Sequence, residues 1–342
     1  MSRRLRVLAG AAGLAILAGC ADSSRNVTGP TDSAPSFDRA PDQPGGDQGK
    51  SDQPHGHIFE LRSSPGAGKP KPRGGSGTGI SYHGGPVLQA GTDVVAVYWA
   101  NGTIYNGGPA AGTAGAGSAD NSLVGYFLSH LGGSPYFNIN TTYTDGAGRA
   151  IANVVNYTAY WANNTSVPSN GQSVSDAQMV SMLQSGFNSG NLSYDPNALY
   201  AIFTAGTVNL GGGFGTQYCA YHYHGTVTIA GVSRTVLYAA MPYVYAYPSA
   251  CTNGTASPNA DPGADGVVNV LAHEVEETTT DLMGTAWFDT RGYENADKCA
   301  WIFGATHTDS NGGVWNITVG SKNFMVQQNW VNAGSGGCLQ QW

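Results

Sequence analysis

The segment Ala272-His273-Glu274-Val275-Glu276-Glu277 constrains this chain most, because it can place an imidazole and two carboxylates on one helical turn. Residues four apart lie on the same face of an α-helix, so His273 and Glu277 would stand side by side. The pattern H-E-x-x-E differs at one position from the H-E-x-x-H of zinc peptidases. It predicts a metal-site helix with His273 and Glu277 as ligands and Glu274 as the general base.

The periodicity around this motif predicts which side of the helix is buried. At about 100° per residue, one stripe collects the apolar positions and one threonine. They are Val267, Val270, Leu271, Val275 and Thr278. His273, Glu274 and Glu277 lie at the edge of that stripe, whereas Glu276 falls opposite and is expected in solvent. Asp265 is a candidate N-cap and Gly284 a candidate C-terminal stop.

A second acidic block, Tyr293-Glu294-Asn295-Ala296-Asp297, follows after a loop. In one large class of zinc peptidases a later glutamate completes the site, and an acidic residue one turn further orients a ligand imidazole. We therefore expect Glu294 as the third ligand and Asp297 as the orienting group, with Asp297 as the alternative third ligand. One zinc ion is the expected cofactor. The alternative is a solvated acidic helix without a metal.

The N-terminus has the features of an export signal. Three arginines among the first six residues precede a short apolar run, which is too short to span a bilayer. The run ends in Leu17-Ala18-Gly19-Cys20, which resembles a bacterial lipobox and implies cleavage after residue 19 and lipidation of Cys20. An ordinary signal peptide with a stray cysteine is the alternative. Residues 20–78 are rich in Ser, Asp, Pro and Gly and predict a disordered tether. The membrane contact would be the lipid anchor alone.

Residues 79–342 have the composition of one large folded domain. The net charge of −7 and the lack of a Lys/Arg cluster in this region argue against nucleic acid as a partner. Four cysteines remain after Cys20, namely Cys219, Cys251, Cys299 and Cys338. In an exported chain an even number predicts two disulfides, and three pairings are possible.

The pattern of elements predicts an α+β fold, a mixed sheet backed by helices. Continuous apolar runs at 94–99 and 198–203 predict buried strands. Residues 122–131 and 175–187 predict helices, the second opened by a capping box. The runs 226–229 and 235–240 flank Ala230-Gly231 and predict a hairpin. By analogy with zincins, 235–240 is a candidate edge strand that would present an extended peptide to the metal-site helix.

Five short motifs occur in order between residues 79 and 342. They are Ile80-Ser81-Tyr82-His83-Gly84-Gly85-Pro86-Val87-Leu88, Cys219 with Tyr223-His224-Gly225, Asp261-Pro262-Gly263-Ala264-Asp265-Gly266-Val267-Val268-Asn269, Cys299-Ala300-Trp301-Ile302-Phe303-Gly304 and the terminal Cys338. This series resembles the exordium, or phosphate-induced protein 1, family. The resemblance implies an extracellular protein with that family's fold. Plant members largely lack H-E-x-x-E and have no established catalytic activity. The chain resembles a bacterial member that retains a zincin-like helix.

Two functions from different classes follow. The first is a zinc-metallopeptidase-like hydrolase, for which His222, His224 and Tyr293 are candidate substrate or oxyanion contacts. His222 and His224 alternate at strand period and so share one face. The second is a non-catalytic extracellular protein with a structural or vestigial metal site. The expected partner is an extracellular peptide, protein or cell-wall polymer. We expect the protein at the cell surface or outer membrane, or secreted.

Overall fold

The structure, a computed structural model, describes residues 57–60, 79–211, 214–215 and 218–342, with the backbone alone for 57–60. The predicted signal peptide (1–19), the lipidation site Cys20 and most of the predicted tether (20–78) lie outside the described residues. The part of the tether that is described, His57–Glu60, forms a β-strand.

Four α-helices occur in the described part of the chain. They are α1 (Leu123–Leu131), α2 (Asp176–Ser189), α3 (Pro248–Cys251) and α4 (Pro262–Asp281). The first two confirm the two predicted helices, and the second also confirms its predicted capping box. The Ser122 hydroxyl accepts from the Gly125 amide, and Ser175 and Gln178 form the predicted capping box. None of the described helices has the length and apolar character needed to cross a bilayer.

Short 3-10 helices and strands complete the secondary structure. The 3-10 helices span Gly117–Ala119, Phe137–Thr142, Val244–Ala246 and Asp297–Cys299. The strands are β1 (His57–Glu60), β2 (Ser81–Tyr82), β3 (Thr92–Trp99), β4 (Ala114–Ala116), β5 (Val155–Asn163), β6 (Ala198–Thr204), β7 (Tyr218–Ile229), β8 (Val232–Met241), β9 (Trp287–Phe288), β10 (His307–Thr308), β11 (Val314–Trp315), β12 (Ile317–Val319), β13 (Lys322–Phe324), β14 (Asn329–Val331) and β15 (Gly337–Leu339).

Seven of the described strands form one mixed sheet in the order β1-β7-β8-β6-β3-β5-β4. Its centre, from β8 to β5, is parallel, whereas β4, β7 and β1 pair antiparallel. The remaining strands form two-stranded pairs outside this sheet. The α+β prediction of a mixed sheet with helices is confirmed.

Side chains of the central strands alternate between two cores, because successive residues of a strand point to opposite faces. In β3, Val94, Ala96 and Tyr98 belong to the core that contains α1 and α4, whereas Val95, Val97 and Trp99 belong to the core that contains α2. The sheet is therefore covered on both faces. The central strands β3 and β6 are accordingly apolar along most of their length, as the runs at 94–99 and 198–203 indicated.

The predicted hairpin is present, but its place in the sheet differs from the prediction. Ala230 and Gly231 both have positive φ, 49° and 78°, in the turn between β7 and β8. Residues 235–240 lie in β8, which is paired on both sides by β7 and β6. The prediction that 235–240 is the edge strand is therefore wrong. The outermost strands of the sheet are β1, which pairs with β7, and β4.

Both disulfides join neighbouring cysteines in sequence. Cys219 of β7 is bonded to Cys251 of α3, and Cys299 is bonded to Cys338 of β15. The prediction of two disulfides is confirmed, and of the three pairings left open the structure has the one between sequence neighbours. The second disulfide fixes the segment that carries Asp297 to the C-terminal part of the chain.

Candidate metal centre

Helix α4 carries the motif and lies in the middle of the domain. Its N-cap is Asp261, whose side chain accepts from the Ala264 amide, rather than the predicted Asp265. Asp265 lies in the first turn, where Ser257 and Asn259 donate to its carboxylate. The helix ends at Asp281, shortly before the predicted stop at Gly284.

The predicted exposure of Glu276 is wrong. Its relative exposure is 0%, and its carboxylate accepts from Asn329 Nδ2 at 2.6 Å. The cause is tertiary, because Asn329 of β14 and Asn295 of the second acidic block both donate to Glu276. When one face of a buried helix packs against polar partners, that face carries polar residues. The sequence then shows a single apolar stripe, although both faces are buried.

The second acidic block reaches the motif helix. His273 Nε2 lies 3.0 Å from Glu277 Oε1 and 3.6 Å from Asp297 Oδ1. The Asp297 amide donates to Glu277 Oε1 at 2.9 Å. These three residues, the His273 group, offer donor atoms close enough to share one cation.

A second set of donors comes from β7 and the same helix. His222 Nδ1 lies 3.3 Å from Glu274 Oε2 and 3.7 Å from Glu277 Oε2. His222, Glu274 and Glu277 form the His222 group, which also has the separations expected around one ion. Glu277 belongs to both groups, with one carboxylate oxygen towards each.

Glu294 stands beside both groups and is a member of neither. Its Oε2 lies 3.9 Å from His222 Nε2, and its amide donates to Asp297 Oδ2 at 3.3 Å. Geometry thus places Asp297, not Glu294, with His273 and Glu277, while Glu294 lines the same space. We call the two groups and Glu294 together the centre.

The donor separations can be compared with those of a zinc site. Two ligands at zinc–ligand distances of about 2.0–2.1 Å and a tetrahedral angle stand about 3.3 Å apart. The separations in the His273 group, 3.0 and 3.6 Å, and in the His222 group, 3.3 and 3.7 Å, bracket this value. Imidazole nitrogens with carboxylate oxygens are also a donor set that zinc uses. The residues present therefore fit a zinc ion.

Burial sets the electrostatics of the centre. His222 has 2% relative exposure, and His273, Glu274, Glu277 and Glu294 have 0%. Burial lowers the pKa of His273 to about 4, so the ring is neutral at pH 7, the form that binds metals. Burial, reinforced by the neighbouring carboxylates, raises the pKa of Glu274 and of Glu294. Several acids in one buried space repel each other, and a divalent cation would offset that repulsion.

The nearby basic side chains pair with a different acid. Arg291 Nη2 lies 3.0 Å and Lys298 Nζ 3.5 Å from Asp289 Oδ2.

Glu274 Oε1 is buried and has no hydrogen-bond partner among the described residues. A buried carboxylate oxygen of this kind is well suited to a cation or to the proton of a bound water.

The ring of His273 is held by Gln327, which the sequence analysis missed. Gln327 Nε2 lies 3.1 Å from His273 Nδ1 and donates to the Ala296 carbonyl at 2.9 Å. With the amide in this orientation, His273 carries its proton on Nε2, facing Glu277. A cation at Nε2 requires the proton on Nδ1 and the amide oxygen turned towards it.

Two other predicted contact residues lie outside the two groups. His224 is half-buried and stacks on Tyr223, with ring centroids 4.6 Å apart. The Tyr293 ring lies under the Arg291 guanidinium at 4.9 Å. The sequence indicated that His222 and His224 share a face, but not that only His222 would reach the acids of α4.

The chain is similar to proteins of one known family. Residues 132–326 match the family model described as "Phosphate-induced protein 1 conserved region", a range that contains the whole centre. Protein EXORDIUM-like 3 of Arabidopsis thaliana is 27% identical over 237 residues, which cover 61% of this chain and 69% of the relative. Protein EXORDIUM-like 5 of the same plant is 24% identical over 288 residues, 73% of this chain and 75% of the relative. No solved structure matches.

Proposed function

The chain belongs to the phosphate-induced protein 1 family, and we propose that it is an exported member that binds one zinc ion at the centre and hydrolyses peptide bonds there. The observation that supports this most is the convergence of two imidazoles and four carboxylates, from β7, α4 and the Glu294–Asp297 segment, in one buried space. Such a set is costly to bury unless a cation balances its charge.

In this proposal the ion lies in the His273 group, with His273 and Glu277 as ligands. The third ligand is Asp297, which belongs to that group, or Glu294, which lines the same space. A bound zinc ion would lower the pKa of a coordinated water and polarise a substrate carbonyl. Glu274 would accept the proton of that water and pass it to the leaving amine. Each carboxylate ligand reduces the effective charge of the ion, so the bound water would be less acidic than in a site with imidazoles alone.

Export is part of the same proposal. The two disulfides support an oxidising compartment, because such bonds are rare in the cytoplasm. The apolar N-terminal run and Cys20 support a lipid-anchored surface or outer-membrane protein. An extracellular peptide or protein is the proposed substrate.

Full burial of the centre supports a second candidate, a non-catalytic extracellular binding protein with a structural metal. A separate polar pocket of about 510 Å³ lies between α1 and the start of α4. Asp120, Tyr126, Asp261 and Lys322 are among its lining residues. A cell-wall polymer or a protein partner could be bound there while the ion holds the fold.

Zinc content separates the proposal from a metal-free protein. The full chain would be dialysed against EDTA, reloaded with zinc, and measured by mass spectrometry and calorimetry; one ion per chain is expected. Hydrolysis of labelled casein is then compared between the parent and Glu274→Gln. A variant that keeps zinc and loses hydrolysis supports Glu274 as the base, and loss of zinc makes it a ligand. Zinc without hydrolysis in any form of the chain favours the binding protein.

A further inference from the structure

Strand β1 lies on β7 at the outer edge of the sheet. The register pairs His57 with His222, Ile58 with Tyr221, Phe59 with Ala220 and Glu60 with Tyr218. On its other side β7 is paired with β8 from Tyr221 to Ile229. β1 pairs only with residues 218–222 of β7, which continues to Ile229. Among the described strands, none pairs with the β1 side of β7 beyond His222.

The covered part of β7 is the part next to the centre. His222, opposite His57 in the register, contributes the imidazole that faces Glu274 and Glu277. β1 also lies next to α4. One edge of β7 is paired with β8, so an additional strand can pair with β7 only at the edge that β1 occupies. A strand at that edge runs beside the centre.

The geometry points to β7 as a binding edge for an extended peptide, occupied by residues 57–60 of the same chain. A peptide added to a sheet edge is held by main-chain hydrogen bonds, which any extended sequence can supply. A segment tethered to the domain competes at an effective concentration of about millimolar, so it excludes a free peptide of moderate affinity. β1 thus acts as an autoinhibitory strand, and its release would open the edge beside the centre.

The inference rests on the proposed function only where it makes the bound peptide a substrate. Replacement of β1 by a free peptide at the edge of β7 needs neither metal nor hydrolysis. The test uses the full chain carrying Ile58→Pro and Phe59→Pro, in EDTA. In an edge strand every second backbone N–H points to the neighbouring strand. Proline has no N–H, so replacing two successive residues removes one hydrogen bond to β7 whichever of the two residues donates it. The control carries Ser63→Pro and Ser64→Pro, beyond the end of β1.

The probe is a dye-labelled synthetic peptide with the sequence of residues 55–62, followed by fluorescence anisotropy. We expect saturable binding to the Ile58→Pro/Phe59→Pro variant and binding weaker by about tenfold or more to the parent and the control. A scrambled peptide reports non-specific binding. Equal binding to all three proteins, or none to a folded variant, overturns the inference.

Circular dichroism establishes that the variant is folded. Should it be unfolded, Ile58→Gly with Phe59→Gly takes its place, because glycine weakens a strand while keeping its donors. With zinc restored, faster casein hydrolysis by the variant than by the parent supports both proposals. Peptide exchange without any hydrolysis supports the autoinhibitory strand and contradicts the hydrolase alone.

Discussion

Glu277 Oε1 lies 3.0 Å from His273 Nε2, and the other oxygen of the same carboxylate lies 3.7 Å from His222 Nδ1. One side chain therefore connects the histidine of its own helix with the histidine of β7. A cation in either group would therefore have Glu277 among its ligands.

Substitution of Glu277 by glutamine should abolish tight zinc binding whichever group holds the ion. Gln keeps the shape but loses the charge, so we expect zinc affinity to fall by about 100-fold or more. Zinc should raise the melting temperature of the parent and leave that of the variant unchanged, because a ligand stabilises only the state that binds it. Calorimetry and thermal unfolding with and without EDTA measure both. Equal zinc affinity in parent and variant would contradict both groups.

Removal of Gln327 should weaken zinc binding without removing a ligand. Gln327 contacts His273 Nδ1, and loss of such a partner typically costs about 10–100-fold in metal affinity. Gln327→Ala is compared with Gln328→Ala, whose position is adjacent in the chain. An affinity change in neither variant, or the same change in both, would rule out an orienting role for Gln327.

Local sequence patterns predicted the elements that depend on local interactions. The Ser175–Gln178 capping box and the Ala230-Gly231 turn act within a few residues, and each is found where the pattern placed it. The order of the sheet depends instead on which distant strands meet. For that reason 235–240 proved to be an interior strand rather than the edge.

The centre was predictable on α4 and less so elsewhere. The four-residue spacing predicts His273 beside Glu277, and in the structure the amide of Asp297, the alternative third ligand of the prediction, donates to Glu277. The residues around His222 do not indicate that it lies close to α4. The alternation of a strand predicts the sheet face to which a side chain points, but not which element packs on that face. Glu276 was misassigned because its cover comes from Asn329, which lies far along the chain.

Burial of Glu276 can be tested by introducing a positive charge. Glu276→Lys would lose the bond from Asn329 and bury an ammonium, so we expect destabilisation of about 3 kcal/mol or more, or failure to fold. Ser181→Lys on α2, an exposed helix position, is the control and should change stability by less than about 0.5 kcal/mol. Urea unfolding of the metal-free proteins measures both. A tolerated lysine at 276 would mean that this face of α4 is open to solvent.

Loss of the Cys299–Cys338 disulfide should affect both stability and the centre. The two cysteines are 39 residues apart in sequence. Closing a loop of that size is worth about 4 kcal/mol in the chain-entropy account. Asp297 and Cys299 share one 3-10 helix, so Cys299→Ala/Cys338→Ala should also lower zinc affinity. Urea unfolding and zinc titration measure the two effects. Reduced stability with unchanged zinc affinity would show that Asp297 is positioned without the disulfide.

His222 and His224 provide a matched pair for the contribution of β7. Both lie on the same face of one strand, but only His222 contacts the acids of α4. If the ion lies in the His222 group, His222→Ala should lower zinc affinity by about 100-fold, and His224→Ala should leave it unchanged. If the ion lies in the His273 group, neither variant should change it by more than about threefold, whereas His273→Ala should abolish binding. Cobalt substitution gives a second readout, because its absorption spectrum changes with the ligand set. Loss of zinc in His224→Ala, with the fold kept, would contradict the assignment of both groups.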